Sequence, residues 1–118
     1  MLDAGDFRRI ALGMTDVTEG AHQGHPDFRV QGRIFATLHA DPRWGMVKLT
    51  PDQQQEYVGL NPAAFAPESG AWGRQGYTAV RLDATTEEEL GTVLTMAWQN
   101  VARARGATKP PTRPRRRQ

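Results

Sequence analysis

The chain has 118 residues, no cysteine, a hydrophobic fraction of 38% and a mean hydropathy of -0.62. This length suits one hydrophobic core, and no apolar run approaches the roughly 18 residues that a membrane-spanning helix requires. The lack of cysteine excludes disulfides, thiolate nucleophiles and cysteine-ligated metal centres. Because the N-terminus has no basic segment followed by an apolar one, we expect a cytoplasmic protein rather than a secreted one.

The net charge of +2 is unevenly distributed along the chain. Residues 1–102 carry eight Lys and Arg against thirteen Asp and Glu, a net charge of -5, whereas residues 103–118 carry seven cations and no acid. The basic pI of about 9.5 therefore comes from the C-terminal segment. We expect a folded domain over residues 1–105 and a disordered tail over residues 106–118, because the tail combines prolines and cations with little to bury.

The first third of the chain predicts a helix, a loop and a β-hairpin. Apolar residues at helical spacing predict a helix over residues 3–14. Residues 15–26 contain glycines, two histidines and a proline without periodicity, and we expect a loop there. Residues 28–38 predict two strands joined by a tight turn at Gln31-Gly32. Strict alternation along the second strand places Phe35 on its more polar face.

The middle of the chain predicts a third strand over residues 44–49 and then a helix. Thr50 is suited to cap that helix, with proline next and Gln53 completing a capping box, and Gly59 is suited to end it. The following stretch, residues 60–76, is rich in proline, glycine and alanine.

Within this stretch, Phe65 and Trp72 are the expected anchors against the core. A short strand over residues 69–73 is compatible with the pattern. The glycines of residues 70–76 lack the Gly-Lys-Ser/Thr ending of a phosphate-binding loop, so a hairpin turn explains them better.

The last third predicts a strand over residues 77–82 and the longest helix of the chain. A capping box of Thr85 with Glu88, or of Thr86 with Glu89, opens this helix, and Gly106 ends it. Its apolar stripe consists of Leu90, Val93, Leu94, Ala97, Trp98 and Val101. The predicted fold is α+β in two layers, an antiparallel β-sheet of about five strands packed against helices in the order α-β-β-β-α-β-β-α.

Three short motifs, together with this order of elements, resemble the MmcQ/YjbR-like family. They are His25-Pro26-Asp27-Phe28, Gly32-Arg33-Ile34-Phe35-Ala36 and Tyr77-Thr78-Ala79-Val80-Arg81-Leu82. The resemblance covers roughly residues 3–104. It implies a two-layer fold of the double-wing, frataxin-like (CyaY-like) or secretion-chaperone-like type, and many members are described as DNA-binding.

The sequence identifies no catalytic or metal site. His22 and His25 are three residues apart and could reach one metal, but two ligands do not make a site. Ser69 is the only serine, and no spacing brings it together with a histidine or with the carboxylates of Asp27, Asp41, Glu68 and Asp83. We therefore expect a protein that is not an enzyme and has no cofactor.

Basic residues on or beside the predicted strands form a candidate nucleic-acid surface, with Phe35, Trp44 and Tyr77 between them. These cations are Arg29, Arg33, Lys48, Arg74 and Arg81. Cations interleaved with aromatic side chains suit phosphates and stacked bases. A solvated set of strand positions, balanced by the acids of the domain, is the competing interpretation. Trp44, Trp72 and Trp98 suit core or rim packing better than base stacking.

The tail carries a separate nucleic-acid hypothesis through Arg113, Arg115, Arg116 and Arg117. Polybasic segments displace counterions from nucleic acid largely without regard to sequence. The leading hypothesis is a non-enzymatic binding module with a nucleic-acid partner, DNA being favoured over RNA and no membrane being expected. The alternatives are a protein-interaction or chaperone-like adaptor with a protein partner, and a small-ligand or metal protein.

Overall fold

A computed structural model describes residues 1–106, with side chains through residue 102. The expected boundary of a disordered tail near residue 106, and the tail cations, lie at or outside the end of this range. Over residues 1–106 the chain forms six strands and four helices. The strands are β1 (Val17–His22), β2 (His25–Val30), β3 (Arg33–Leu38), β4 (Trp44–Lys48), β5 (Phe65–Pro67) and β6 (Tyr77–Arg81). The helices are α1 (Ala4–Leu12), α2 (Pro51–Leu60), α3 (Gly70–Arg74) and α4 (Glu87–Gly106).

All strand pairs are antiparallel, and the sheet order is β1-β2-β3-β4-β6-β5. The predicted α+β class with a helix layer against an antiparallel sheet is confirmed, with six strands in place of about five. No helix among residues 1–106 is long and apolar enough to cross a membrane.

The helices begin at the caps that the sequence predicts. The Thr50 hydroxyl accepts from the Gln53 backbone N–H at 3.2 Å, and the Gln53 side chain accepts from the Thr50 N–H at 2.9 Å, which confirms the capping box of α2. Before α4, the Thr86 hydroxyl accepts from the Glu89 N–H at 3.1 Å. Each of these bonds satisfies a backbone donor that a helix start leaves without an intrahelical partner.

The expected loop over residues 15–26 is wrong, because most of it forms β1 and the start of β2. β1 pairs with β2 from Val17 opposite Val30 to His22 opposite His25. The turn between them, Gln23-Gly24, has φ angles of 52° and 81°. A two-residue turn with both φ positive matches the right-handed twist of a hairpin.

A β-bulge in β3 corrects the alternation expected for Phe35. Phe28 lies opposite Ala36, but the next pair is Arg29 opposite Ile34, so Phe35 is the extra residue on β3. Phe35 is fully buried and joins Ala36 in the core rather than lying on a polar face. A bulge permits this because two residues of one strand then oppose one residue of its partner.

The segment between α2 and β6 contains β5 and α3, so the strand over residues 69–73 and the hairpin turn over residues 70–76 are wrong. The buried Gln54 amide donates to the carbonyls of Gly73 and Tyr77, each at 3.0 Å, and to the Thr78 hydroxyl at 3.2 Å. A local sequence pattern does not reveal such a long-range anchor. Phe65 is buried as expected.

Trp72, in contrast, is 61% exposed and does not anchor the core. It lies on α3, and its ring contacts Tyr77 edge to face.

One face of the sheet packs against the helices, and the other is open. A Cβ on Gly45 would lie 2.6 Å from the ring of Phe7 in α1, so Gly45 and Val47 face the helix layer. Their neighbours Trp44 and Met46 therefore point to the other face, which we call the open face. The strand register adds Arg29, Thr37, Lys48, Tyr77, Ala79 and Arg81 to it.

Candidate binding groove on the open face

A groove of about 350 Å³ crosses the open face, and we call it the open-face groove. Its base consists of the strand residues Ile34, Thr37 and Met46, and the core residue Leu38 also contributes to the lining. Trp72 and Tyr77 form an aromatic wall. The polar lining consists of all three histidines of the chain and two residues that precede α3: His22, His25, His39, Glu68 and Ser69.

The aromatic wall brings two rings and a cation together. The rings of Trp72 and Tyr77 meet edge to face, with centroids 4.7 Å apart and planes at 87°. Lys48, which lies opposite Tyr77 in the sheet register, places Nζ 5.5 Å from the centre of the Tyr77 ring. This distance is within the range of a cation–π interaction. At the other end of the same strands, Arg81 lies 5.9 Å from the centre of the Trp44 ring.

A buried carboxylate orients one histidine of the groove. Asp27 is fully buried, and its carboxylate accepts from Arg29 at 2.8 and 3.1 Å and contacts Nδ1 of His22 at 2.8 Å. Hydrogen bonding from Arg29, with a further contribution from His22, holds the pKa of Asp27 below its usual value although burial opposes the shift. An ionised carboxylate only accepts, so His22 carries a proton on Nδ1 and leaves Nε2 for another partner.

The glycine at position 20 leaves room for this arrangement. A Cβ on Gly20 would lie 3.0 Å from a carboxylate oxygen of Asp27 and 3.1 Å from Nε of Arg29. Gly20 is the direct neighbour of Asp27 across β1 and β2. A larger side chain in β1 would therefore require the ion pair to shift by a few tenths of an ångström.

A second histidine–carboxylate pair closes the groove at its other side. Nε2 of His39 lies 2.8 Å from a carboxylate oxygen of Glu68, and the two side chains are 38% and 21% exposed. The Glu68 backbone N–H donates to the Tyr77 carbonyl at 2.9 Å. The pair joins the end of β3 to the residue before Ser69 across 29 positions of sequence. No spacing in the sequence indicates this contact.

The structure brings three of the five predicted body cations to the open face. Arg29, Lys48 and Arg81 lie there, whereas Arg33 lies opposite Val30 and, beyond the bulge, on the other side of the sheet. Arg74 is the last residue of α3. The prediction of one shared basic face is therefore wrong for Arg33. The tail cations Arg113, Arg115, Arg116 and Arg117 lie outside the described residues.

These cations also differ in whether they form an ion pair. Arg29 binds Asp27, and Arg81 lies 2.8 Å from Asp83. Lys48 forms no ion pair with any side chain of residues 1–102, and the same holds for Arg33 and Arg74. Lys48 is thus the open-face cation whose charge is available to a ligand.

The candidate catalytic and metal residues are only partly assembled. Asp27, Glu68 and Ser69 meet His22 and His39 around the groove. Asp41 lines an adjoining cavity with His25, His39 and Glu68 but binds Arg43, and Asp83 binds Arg81. The rings of His22 and His25 have centroids 6.3 Å apart. Across the part of the chain that the structure describes, no group of three or more His, Cys, Asp or Glu is placed to hold a metal ion.

The comparison with protein families identifies the domain. The model of the YjbR family matches residues 12–100. The chain belongs to the YjbR family. The matched region contains every residue of the open-face groove, so the groove is part of the YjbR domain. The resemblance of the three sequence motifs is thereby confirmed.

A solved structure supports the fold of this YjbR domain. The crystal structure of the Deinococcus radiodurans protein DR2400, described as a DUF419 domain, aligns with a TM-score of 0.73 and 20% sequence identity. The alignment covers 96% of the YjbR chain and 93% of DR2400. At this identity the similarity shows a shared fold. The comparison with curated proteins gives no significant match.

Proposed function

We propose that this YjbR-family protein is a non-enzymatic module that binds single-stranded nucleic acid on its open face, DNA in preference to RNA. The observation that supports this most is the group of Trp72, Tyr77 and Lys48. Trp72 is exposed, its edge-to-face partner Tyr77 lines the groove, and Lys48 lies over the Tyr77 ring without an acidic partner among the described side chains. Exposed aromatic rings stack with bases, and a cation without an acidic partner binds the phosphate that links two neighbouring nucleotides.

A single strand suits this surface better than a duplex. Aromatic stacking requires bases that are already unpaired, and the groove offers apolar contacts rather than a row of cations. The domain is also acidic over residues 1–102, and Asp27 neutralises Arg29 on the open face. A broad contact with duplex phosphates would need more unpaired cations than the open face provides. The preference for DNA follows the description of many members of the family.

A binding role also fits the state of the groove's serine. Ser69 lines the groove with His22 and His39, but each histidine directs a ring nitrogen to a carboxylate. Among the described residues, the Ser69 hydroxyl makes no hydrogen bond to either ring. Nucleophilic catalysis requires a base within hydrogen-bond reach of the nucleophile. The arrangement therefore supports recognition rather than acyl or phosphoryl transfer.

The basic C-terminal segment would add affinity of a different kind. Its cations can release counterions from any nucleic acid, so its contribution depends steeply on salt and little on base identity. The open face would instead contribute stacking, which salt affects less. The two contributions can be separated by mutation in the full-length chain.

The test measures binding of a fluorescent ten-nucleotide DNA single strand that contains all four bases to the full-length chain at several salt concentrations. Trp72→Ala should weaken binding by about 5- to 150-fold, the loss expected for one stacked base. Lys48→Gln should lower the slope of log affinity against log salt by about 0.7, the value for one phosphate contact on a single strand. Arg8→Gln is the matched control, because Arg8 lies on α1 and binds Glu19 away from the open face.

A fourth variant assigns the role of the tail by replacing four arginines with glutamine: Arg113, Arg115, Arg116 and Arg117. If this variant alone loses binding while Trp72→Ala and Lys48→Gln bind normally, the open face is not the site and the proposal is wrong. If no variant, and not even the unaltered chain, binds oligonucleotide at low salt, nucleic acid is not the ligand.

A small-ligand protein is the second candidate, and the groove itself favours it. Its volume of about 350 Å³ falls within the 300–1,000 Å³ typical of small-molecule sites. Apolar base residues and a few polar groups at the edge are also typical of such sites.

A further inference from the structure

We propose that the open-face groove holds one planar nitrogen heterocycle of the nucleobase type, and that an amino group on the ring favours binding. Within a nucleic-acid strand, this ring would be a single unstacked base, and that form of the inference rests on the function proposed above. A free nucleoside offers the same chemistry. The experiment below separates the two sources.

The shape and lining of the groove fit a flat ring. A nucleobase has two apolar faces and a polar edge, so it needs apolar contacts above and below and hydrogen-bonding groups around its rim. Ile34 and Met46 supply apolar contacts at the base of the groove, and Trp72 and Tyr77 supply an aromatic wall. Histidine and carboxylate groups lie at its margin. The distribution of apolar and polar groups therefore matches that of the ring.

Glu68 supplies a free acceptor at the margin of the groove. Nδ1 of His22 contacts Asp27, which leaves Nε2 without a hydrogen-bond partner among the described residues. One carboxylate oxygen of Glu68 contacts His39 at 2.8 Å, and the other makes no hydrogen bond within the described residues. A free carboxylate oxygen selects a ligand edge that carries N–H donors.

This selection ranks the bases. Guanine presents a ring N–H beside an amino group, and cytosine and adenine each present an amino group, whereas thymine presents a single N–H between two carbonyls. The carbonyl oxygens of thymine offer the Glu68 carboxylate no N–H donor, and they repel its negative charge. We therefore expect guanine to bind best and thymine to bind least well, with Glu68 as the main specificity-determining residue.

The groove is held in shape before any ligand enters. The Glu68 backbone is bound to Tyr77, and a Cβ on Gly73 would lie 1.8 Å from the Glu68 carbonyl oxygen, so α3 packs directly against this residue. Gln54 binds the carbonyls of Gly73 and Tyr77 from the helix layer. A preformed site loses less conformational freedom on binding than a flexible one.

The experiment uses the full-length chain with two sets of probes. The first set is deoxyguanosine, thymidine and deoxyribose, each titrated while ¹⁵N-resolved NMR spectra follow the backbone amides of the groove. The second set is three ten-nucleotide strands, one all thymidine, one with a central guanosine and one with a central abasic site. Glu68→Gln tests the specificity, Trp72→Ala tests the wall, and Glu88→Gln on the exposed side of α4 is the matched control.

We expect deoxyguanosine to shift the amides of Glu68, Ser69 and Trp72, and deoxyribose to leave them unchanged. The strand with guanosine should bind at least fivefold more tightly than the all-thymidine strand, and Glu68→Gln should reduce this preference below twofold. Glu88→Gln should retain it. Trp72 is exposed, so its replacement keeps the test valid even if Glu68→Gln folds poorly.

Each other outcome identifies what is wrong. If all three strands bind equally, the protein binds nucleic acid but the groove does not hold a base. If deoxyguanosine shifts the groove amides and no strand binds, the groove inference stands for a free nucleoside and the proposed nucleic-acid function is wrong. If neither nucleosides nor strands move the groove amides, the inference is overturned.

Discussion

Replacing Asp27 with asparagine tests the buried ion pair that orients His22. The Asp27 carboxylate has three contacts of 2.8 to 3.1 Å, two from Arg29 and one from His22. Asparagine keeps one carbonyl acceptor and turns an amide donor toward groups that are themselves donors. Hydrogen bonds to a charged group contribute about 1.5–3 kcal/mol each. Two of them are lost in Asp27→Asn.

The partners recover part of that loss from water, because the side chains of Arg29 and His22 are 36% and 44% exposed. We therefore expect Asp27→Asn to lower the free energy of unfolding by about 2 kcal/mol, below the 3–5 kcal/mol typical of a fully buried broken pair. For a domain of this size, the melting temperature should fall by about 10 °C. Urea unfolding at pH 7 measures the difference directly.

The difference should also depend on pH in one direction. The pKa of Asp27 is lowered in the folded state, so its stabilisation is complete above the unfolded pKa of about 3.9 and is lost as pH falls through the folded pKa. The asparagine variant has no such titration. The difference in free energy of unfolding between the unaltered protein and Asp27→Asn should be constant above about pH 5 and shrink below about pH 4.

Asp16→Asn is the control, because Asp16 is exposed and its side chain makes no hydrogen bond within the described residues. Its stability should change by less than about 0.5 kcal/mol. A loss below about 0.5 kcal/mol for Asp27→Asn, or a gap that stays constant from pH 7 to pH 3, would show that Asp27 does not stabilise the fold as an ion.

Three further changes test the packing and the electrostatics of the fold. Gly45→Ala should cost about 1–3 kcal/mol in urea unfolding, because the new Cβ would lie 2.6 Å from the Phe7 ring. Gly91→Ala should gain about 0.5–1 kcal/mol, since no atom lies within 4 Å and alanine favours the α4 helix; equal stability of the two variants would contradict the packing. Asp41 should titrate with a pKa of about 2 in side-chain NMR spectra because it binds the guanidinium and the backbone N–H of Arg43, and Arg43→Gln should raise this pKa while the backbone N–H of residue 43 still lowers it in part.

Local signals in the sequence were sufficient for most elements of the fold. The capping box at Thr50 and the apolar stripe of the last helix act through neighbours within one or two turns, and both are confirmed. The turn at Gln31-Gly32 is confirmed as well, with φ angles of 56° and 79°. Such signals depend on backbone geometry that a short segment determines alone.

Strand β1 was not predicted because the sequence carries only one of the two signals of a β-hairpin, the turn dipeptide without the apolar alternation. Gln23-Gly24 repeats the dipeptide of Gln31-Gly32, and its turn has the same two positive φ angles. The run before it, Thr18 to Ala21, lacks alternating apolar residues because an edge strand over an open face buries little. The repeated dipeptide was the available signal for this hairpin.

The groove was beyond the reach of sequence patterns because its polar contacts join distant segments. His39 and Glu68 are 29 residues apart, and Gln54 reaches Gly73 and Tyr77 across about 20 positions. Neither contact produces a periodic pattern of residues along the chain. His22 and Asp27 are close in sequence, but their meeting depends on the β1–β2 hairpin, which the sequence analysis missed.

The bulge at Phe35 determines which surface receives the cation at the start of β3. Regular pairing with β2 and no residue removed would place Phe35 opposite Arg29 and Ile34 opposite Val30, which rotates the residues before Phe35 to the opposite side of the sheet. Arg33 would then join Lys48 on the open face, and Ile34 would leave the groove for the core. Relatives that pair the same residues without the bulge should therefore differ in the charge of the groove even where their amino acids match, whereas relatives that lack the extra residue should keep Arg33 and Ile34 on their present sides.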